Sequence, residues 1–208
     1  MKDQDGYIKF KYEWDKKPFT FPREQFERVN YWRQKLFDMK LIGVYDDGIG
    51  YGNISIRIDE TNNFIITGSA TGRCKNLNRM HYSMVNYYDI DDNFVKCMGE
   101  IKASSESLTH AAVYQEAPSV NAIVHVHNKA MWDFYKNVKP TTSEEAPFGT
   151  PEIANEIREL VKKDEVLKDR LIVMGGHEDG LIAFGKDVEE AGQAMMEYYN
   201  QATVQNKK

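Results

Sequence analysis

The chain has 208 residues, 41% hydrophobic and 28% charged, figures ordinary for one globular domain with a sizeable core. A net charge of −5 offers no electrostatic attraction toward nucleic acid or an anionic membrane surface, so neither is expected as a partner. The two cysteines, Cys74 and Cys97, form no CxxC pair, which excludes a disulfide scaffold, and no apolar run approaches membrane-spanning length. Met1–Lys17 is a charged mixture without the apolar centre of a signal peptide, and the expected location is cytoplasmic.

In chain order, residues 1–20 alternate aromatic and charged side chains (Tyr7, Phe10, Tyr12, Trp14). They read as an N-terminal extension, a strand-like arm or partly ordered, ahead of a single domain over 21–208. From Pro22 to about Lys40, Phe26, Val29, Trp32, Leu36 and Met39 recur at helical spacing, and Pro22 is tolerated in a first turn. Residues 46–53, DDGIGYGN, form a glycine-rich loop where the backbone must bend or approach something closely. The β-type runs 54–58 and 63–68, joined by the turn-rich Asp59–Asn62, predict a hairpin. A second helix is expected from Ser104 or Ser105, both natural N-caps, through Leu108, Ala111, Ala112 and Gln115 to a stop at Pro118.

Residues 119–128, SVNAIVHVHN, read as a strand with Val120, Ala122, Val124 and Val126 on one face and Ile123, His125 and His127 on the other. A third helix has Thr150 as N-cap and Pro151 at its first position, with Ile153, Ile157, Leu160 and Val161 as its apolar stripe. RLIVMGG (170–176) and GLIAFG (180–185) are short buried strands. A last helix runs from Asp187 with Val188, Ala191, Met195, Tyr198 and Tyr199 inward. Helices and strands interleave, which predicts a layered α/β arrangement.

His125 and His127 are the sharpest chemical signal. Side chains two apart on a strand point the same way, about 6.5–7 Å apart at the Cα, so both imidazoles can converge on one Zn²⁺-like ion. The alternative is a solvated polar face, against which the apolar neighbours argue. A third ligand would come from His81, His110, His177 or a carboxylate. His177 is favoured because GGHEDG is a glycine-rich turn that can aim a side chain into a cleft. Glu106 follows two serines at a helix start, where either a favourable first-turn carboxylate or an anion site built from Ser104, Ser105 and free N–H groups is consistent. Residues 67–72 (ThrGlySerAlaThrGly) and the Gly52–Asn53 pair could add donors, although turn chemistry explains them equally well.

Six landmarks occur in order: Gly52-Asn53-Ile54-Ser55, residues 66–72 (ITGSATG), Ser104-Ser105-Glu106, His125-Val126-His127, Phe148-Gly149-Thr150 and Gly180-Leu181-Ile182-Ala183. Together they resemble the class II aldolase/adducin family, over about Phe26 to Tyr199. The resemblance implies a three-layer α/β/α sandwich around a central mixed, largely antiparallel sheet. It also implies Zn²⁺, or another divalent ion such as Mn²⁺, on His125, His127 and a later histidine. Glu106 would be the catalytic acid/base, and Asn53, Thr71, Gly72, Ser104 and Ser105 would hold the substrate phosphate. A homotetramer with sites near subunit interfaces is implied as well.

Three features depart from the family pattern. Asp179 stands where the third histidine normally abuts the glycine of the last core strand, and His177 lies two residues earlier, so Asp179 competes as ligand. The stretch between His127 and Gly149 is shorter than in fuculose-phosphate aldolase. A C-terminal tail lending a catalytic tyrosine is not expected. The expected function is a metal-dependent aldolase of small sugar phosphates. The alternatives are an epimerase or dehydratase of the same family, or a non-catalytic adducin-like interaction domain; the 4-epimerases carry aspartate at the position of Glu106.

Overall fold

A computed structural model of the protein describes residues 7–58 and 61–205. Strand β1 (Lys11–Asp15) precedes helix α1 (Arg23–Asp38), then β2 (Gly43–Val44), β3 (Gly50–Tyr51), β4 (Asn53–Arg57), β5 (Phe64–Thr67), β6 (Tyr82–Asp89) and β7 (Phe94–Met98). Helix α2 (Ser107–Glu116), strand β8 (Ala122–His127) and helices α3 (Lys129–Tyr135), α4 (Pro151–Val161) and α5 (Asp164–Asp169) follow. Strands β9 (Leu171–Val173) and β10 (Gly180–Gly185) and helix α6 (Val188–Gln205) complete the order. Eight strands form one sheet, β1-β7-β6-β5-β4-β8-β10-β9, antiparallel except for the parallel β1–β7 edge; β2 and β3 pair separately.

The alternation of β8 divides the interior in two. Ala122, Val124 and Val126 join a core with Val29, Trp32 and Leu36 of α1, Met131 and Trp132 of α3, and Ala191 and Met195 of α6. Ile123 joins the opposite core with Leu108 and Ala112 of α2, Ile153 and Ile157 of α4, and Val166 of α5. Burying both faces removes several tens of apolar side chains from water, the main favourable term in folding. Helix α1 covers β4 and packs on α6, while α2 lies along α4 and over β6 and β7. The expected α/β/α layering around a mostly antiparallel sheet is therefore what forms.

Several local expectations change. The second helix begins at Ser107, just past the two serines: the Ser104 hydroxyl accepts from the Glu106 N–H (3.3 Å) in the manner of a cap, and the Ser107 hydroxyl donates to the Ser104 carbonyl (2.7 Å), so that 104–107 form a turn leading into the helix. Gln115 is exposed and takes no part in the apolar face of α2. The α1 stripe includes Arg33, which sits buried between Val29, Trp32 and Leu36. Residues 82–98, to which sequence patterning assigns no element, are β6 and β7. Their pairing slips register between Val85 and Tyr87, a bulge that breaks the two-residue alternation a strand is read by. Lys11–Asp15 of the N-terminal stretch pairs with β7, and Phe10 is buried in the core under α2. The hairpin β4–β5 is formed, though Asp59 and Glu60 of its turn lie outside the described residues, as do Met1–Gly6 of the leading segment.

Candidate metal and substrate site

Sheet register gathers the polar residues at one end of the central strands. His125 of β8 lies opposite Asn53 of β4 on one side and Ile182 of β10 on the other; His127 lies opposite Gly180. A single pocket is lined by Asn53, Thr71, Gly72, Ser104, Ser105, Glu106, His125 and His127, eight of the nine residues singled out in the sequence, together with Gly50, Tyr51 and Gly68. The ninth, His177, reaches the same place from the turn between β9 and β10. Its Nε2 is 2.8 Å from Nε2 of His127, whose own Nε2 is 3.0 Å from Nε2 of His125.

That turn explains how a histidine two residues early can arrive. His177 N–H bonds the Met174 carbonyl (3.2 Å), Gly180 N–H bonds the His177 carbonyl (2.9 Å), and Met174 N–H bonds the Gly180 carbonyl (3.0 Å). Asp179 absorbs the extra length with φ of 68°, in the left-handed region where aspartate is among the more tolerant residues. A Cβ on Gly180 would lie 2.4 Å from Cδ2 of His177, so only glycine leaves room for the imidazole. Phe148 closes the outer side, its ring edge-on to His177 at 4.7 Å between centroids. Asp179 gives its carbonyl to Asn128 N–H (2.9 Å). Burial, and after it the charge of Glu178, raises its carboxyl above the usual range.

Among the described residues, His125, His127 and His177 are the one group of three metal-ligating side chains able to share an ion, with ligand atoms within 4.8 Å of one another. Burial pushes the His125 imidazole down to about 4. His127 and His177 lie well below the usual range, through burial first and neighbouring histidines second. All three are thus neutral near pH 7, the form in which an imidazole can bind a cation. The Leu181 carbonyl only accepts, so Nδ1 of His125 (3.1 Å) must donate to it, leaving a lone pair on Nε2 facing the other two rings. Tyr45 hydroxyl sits 2.6 Å from Nδ1 of His127, and the Tyr51 ring lies against the same imidazole at 5.3 Å. Three buried nitrogen donors, two of them with the far ring nitrogen held by Leu181 and Tyr45, suit a divalent cation of the zinc class.

The remaining polar residues form a cradle beside this triad. Thr71 opens a tight turn over Thr71–Arg73 and anchors it by its hydroxyl to the Gly68 carbonyl (2.8 Å). Gly72 is required there, since a Cβ would stand 2.1 Å from the Gly43 carbonyl oxygen. Glu106 is 3% exposed, and Thr109 Oγ1 donates to its Oε2 (2.6 Å), which locks the carboxylate toward the pocket. Asn53 presents a buried side-chain oxygen that has no hydrogen-bond partner among the described residues. The other two histidines stand apart. His110 bonds the Ser55 hydroxyl (2.7 Å) instead of pairing with Glu106, and His81 closes a capping box with Asn78.

Sequence reasoning missed Tyr45, Tyr51 and Arg33. Nothing in the spacing of the tyrosines marks them, but Arg33 was visible as a charge inside an apolar helical stripe.

The profile of the family described as class II aldolase and adducin N-terminal domain matches residues 45–206. An L-fuculose phosphate aldolase of Methanococcus maripaludis is 30% identical over 171 residues, 75% of this chain and 82% of that protein. A 3-oxo-tetronate 4-phosphate decarboxylase of Haemophilus influenzae is 26% identical over 163 residues, 68% of this chain and 70% of that one. Shorter matches reach proteins named for L-ribulose-5-phosphate 4-epimerase and methylthioribulose-1-phosphate dehydratase. The crystal structure of L-fuculose-1-phosphate aldolase from Thermus thermophilus superposes with a TM-score of 0.65 at 19% identity, covering 89% of this chain and 94% of that chain, a likeness of fold.

Proposed function

The chain belongs to the class II aldolase and adducin N-terminal domain family, and from that premise we propose that it is a metal-dependent aldolase of small sugar phosphates, cleaving a carbon–carbon bond reversibly. The convergence of His125, His127 and His177 beside Glu106 in one pocket carries this reading. Zinc is the ion the three imidazoles suit best, with manganese as the alternative. The resemblance extends the reading to a cytoplasmic homotetramer, although the described residues themselves say only that no helix is long and apolar enough to cross a membrane.

When bound, a divalent cation supplies Lewis-acid stabilisation of the negative charge that develops on adjacent keto and hydroxyl oxygens. The chain's own groups do the rest. Glu106, held at Oε2 by Thr109, gives or takes the proton at the carbon next to the carbonyl. Asn53, Thr71, Gly72, Ser104 and Ser105 hold the phosphate, so that binding energy remote from the reaction orients the reacting carbon. Phe148 and Tyr51 shield the imidazoles from bulk water.

A second reading, decarboxylation of a 3-oxo acid phosphate, is favoured by the Haemophilus relative. It needs the same stabilised charge, with carbon dioxide as the leaving fragment. The test is a screen of phosphorylated ketoses and 3-oxo acids with zinc- and manganese-loaded protein, following dihydroxyacetone phosphate and carbon dioxide separately. Release of the triose phosphate is the expected result. Carbon dioxide alone selects the second reading, and no turnover with either metal overturns both.

A further inference from the structure

Arg33 is 1% exposed and is the largest fully buried side chain among the described residues. A guanidinium stays protonated even where burial lowers its pKa, and a buried cation is costly unless compensated. Yet no carboxylate is paired with it among the described residues. Nη1 donates to the Lys75 carbonyl (2.7 Å), Nη2 donates to the Thr71 carbonyl (2.9 Å), and the Phe37 ring lies 4.6 Å from the guanidinium carbon. The neighbouring Asp38 is exposed and accepts from Gln34 instead, and the Tyr82 phenol, held neutral by burial, donates to Asn30.

The two carbonyls Arg33 holds bracket the turn whose opposite side lines the pocket. Thr71 and Gly72 face the cavity; Arg33 lies behind them, one peptide layer away. The cavity itself is lined by no lysine or arginine and contains the carboxylate of Glu106. A doubly charged phosphate placed there would meet hydroxyls and amides but no formal positive charge from the lining. Arg73, in the same turn, is exposed and donates to the Ala70 carbonyl (3.3 Å), whereas Arg33 is the buried cation behind the turn and has no counter-ion among the described residues.

We propose that Arg33 is the charge partner of the substrate phosphate, acting through the Thr71–Lys75 turn: it draws back the carbonyl ends of the peptides and supplies the positive field the anion sees. This rests on the reading of the pocket as a phosphate site. Arg33 is a positioning residue, not a catalytic one, since the turn separates it from the ligand. Its buried charge is matched only when the anion is bound, which makes the site selective for phosphorylated over neutral sugars.

The probe is inorganic phosphate, titrated calorimetrically into metal-free protein so that a cation cannot bind it directly. Arg33→Lys keeps the charge and Arg33→Met keeps the bulk without it; zinc affinity reports in each case whether the site is intact. The expected pattern is phosphate binding about tenfold or more weaker in Arg33→Met, largely restored in Arg33→Lys, with zinc binding unchanged in both. Equal phosphate affinity in wild type and Arg33→Met, or equal loss in both variants, overturns the charge role.

Should Arg33→Met not fold, the wild type suffices. The Arg33 side-chain ¹⁵N signal must then shift with phosphate along the same saturation curve as the Gly72 amide. A Gly72 response without one from Arg33 sinks the proposal. No response from either, with no heat of binding, means that the phosphate reading has failed and the proposal with it.

Discussion

Glu106 lines the pocket beside the histidine cluster, and the proposed function gives it and the imidazoles different tasks that substitution can separate. Glu106→Gln preserves shape and the Thr109 contact while removing the basic oxygen. We expect it to bind metal normally and to lose roughly 10²–10⁴ in turnover; unchanged turnover would reduce Glu106 to a first-turn helix residue. Tyr45 tests the outer support. Its hydroxyl fixes Nδ1 of His127, so Tyr45→Phe should weaken zinc binding by about ten- to a hundredfold without unfolding, as a competing chelator titration would measure. Equal affinity would make that contact incidental. These residues differ in how legible they were. The paired histidines announce themselves because strand periodicity forces both to one side, and Glu106 stands in a motif. Tyr45 reaches His127 only because the β2–β3 hairpin folds back over the end of β8, and contacts between segments so far apart leave no mark in local spacing.

At the scale of elements, strands with clean alternation and helices with a 3.6-residue stripe were readable, and β8, β10, α1, α4 and α6 lie close to where the pattern puts them. The bulged β6–β7 pair was not, since one inserted residue cancels the period. The turn before β10 was half legible. Its glycines mark a bend, but only the folded turn brings the imidazole within 2.8 Å of His127 while the Asp179 carbonyl accepts from Asn128 N–H. Two expectations follow for that turn. His177→Ala should abolish most zinc binding while Asp179→Ala, which leaves the triad intact, should keep it; the reverse pattern in parallel metal titrations would make the centre a two-histidine, one-carboxylate site. Gly180→Ala should act like His177→Ala, because the new Cβ would lie 2.4 Å from the ring and push it out. Its melting temperature should fall less than that of Gly72→Ala, where the clash at 2.1 Å is with the Gly43 backbone oxygen, which cannot swing aside.

Across the whole molecule, the sheet carries four buried histidines between its two cores: His110 on α2, His125 and His127 on β8, and His177 in the β9–β10 turn. Burial is the leading cause of depression in each case. Unfolded, each would titrate near ~6.5. Their folded values are lower, so the unfolded state binds more protons below that pH, and stability falls as acid is added. The contribution is fully present above pH ~6.5 and is lost progressively toward the folded values, about 4 for His125. Each histidine steepens the decline by up to ~1.4 kcal/mol per pH unit within that window. His110 is the one to test, because its partner is the Ser55 hydroxyl and it is not one of the three clustered imidazoles, although the neighbouring His125 adds to its depression after burial. In metal-free protein, His110→Asn can keep a hydrogen bond to Ser55 and removes one titrating group. Urea-derived stability plotted against pH should then flatten by up to one proton below pH ~6.5 relative to wild type. An unchanged slope would mean that His110 takes up its proton in the folded state, and that the polar core beneath the site is wetter than its burial implies.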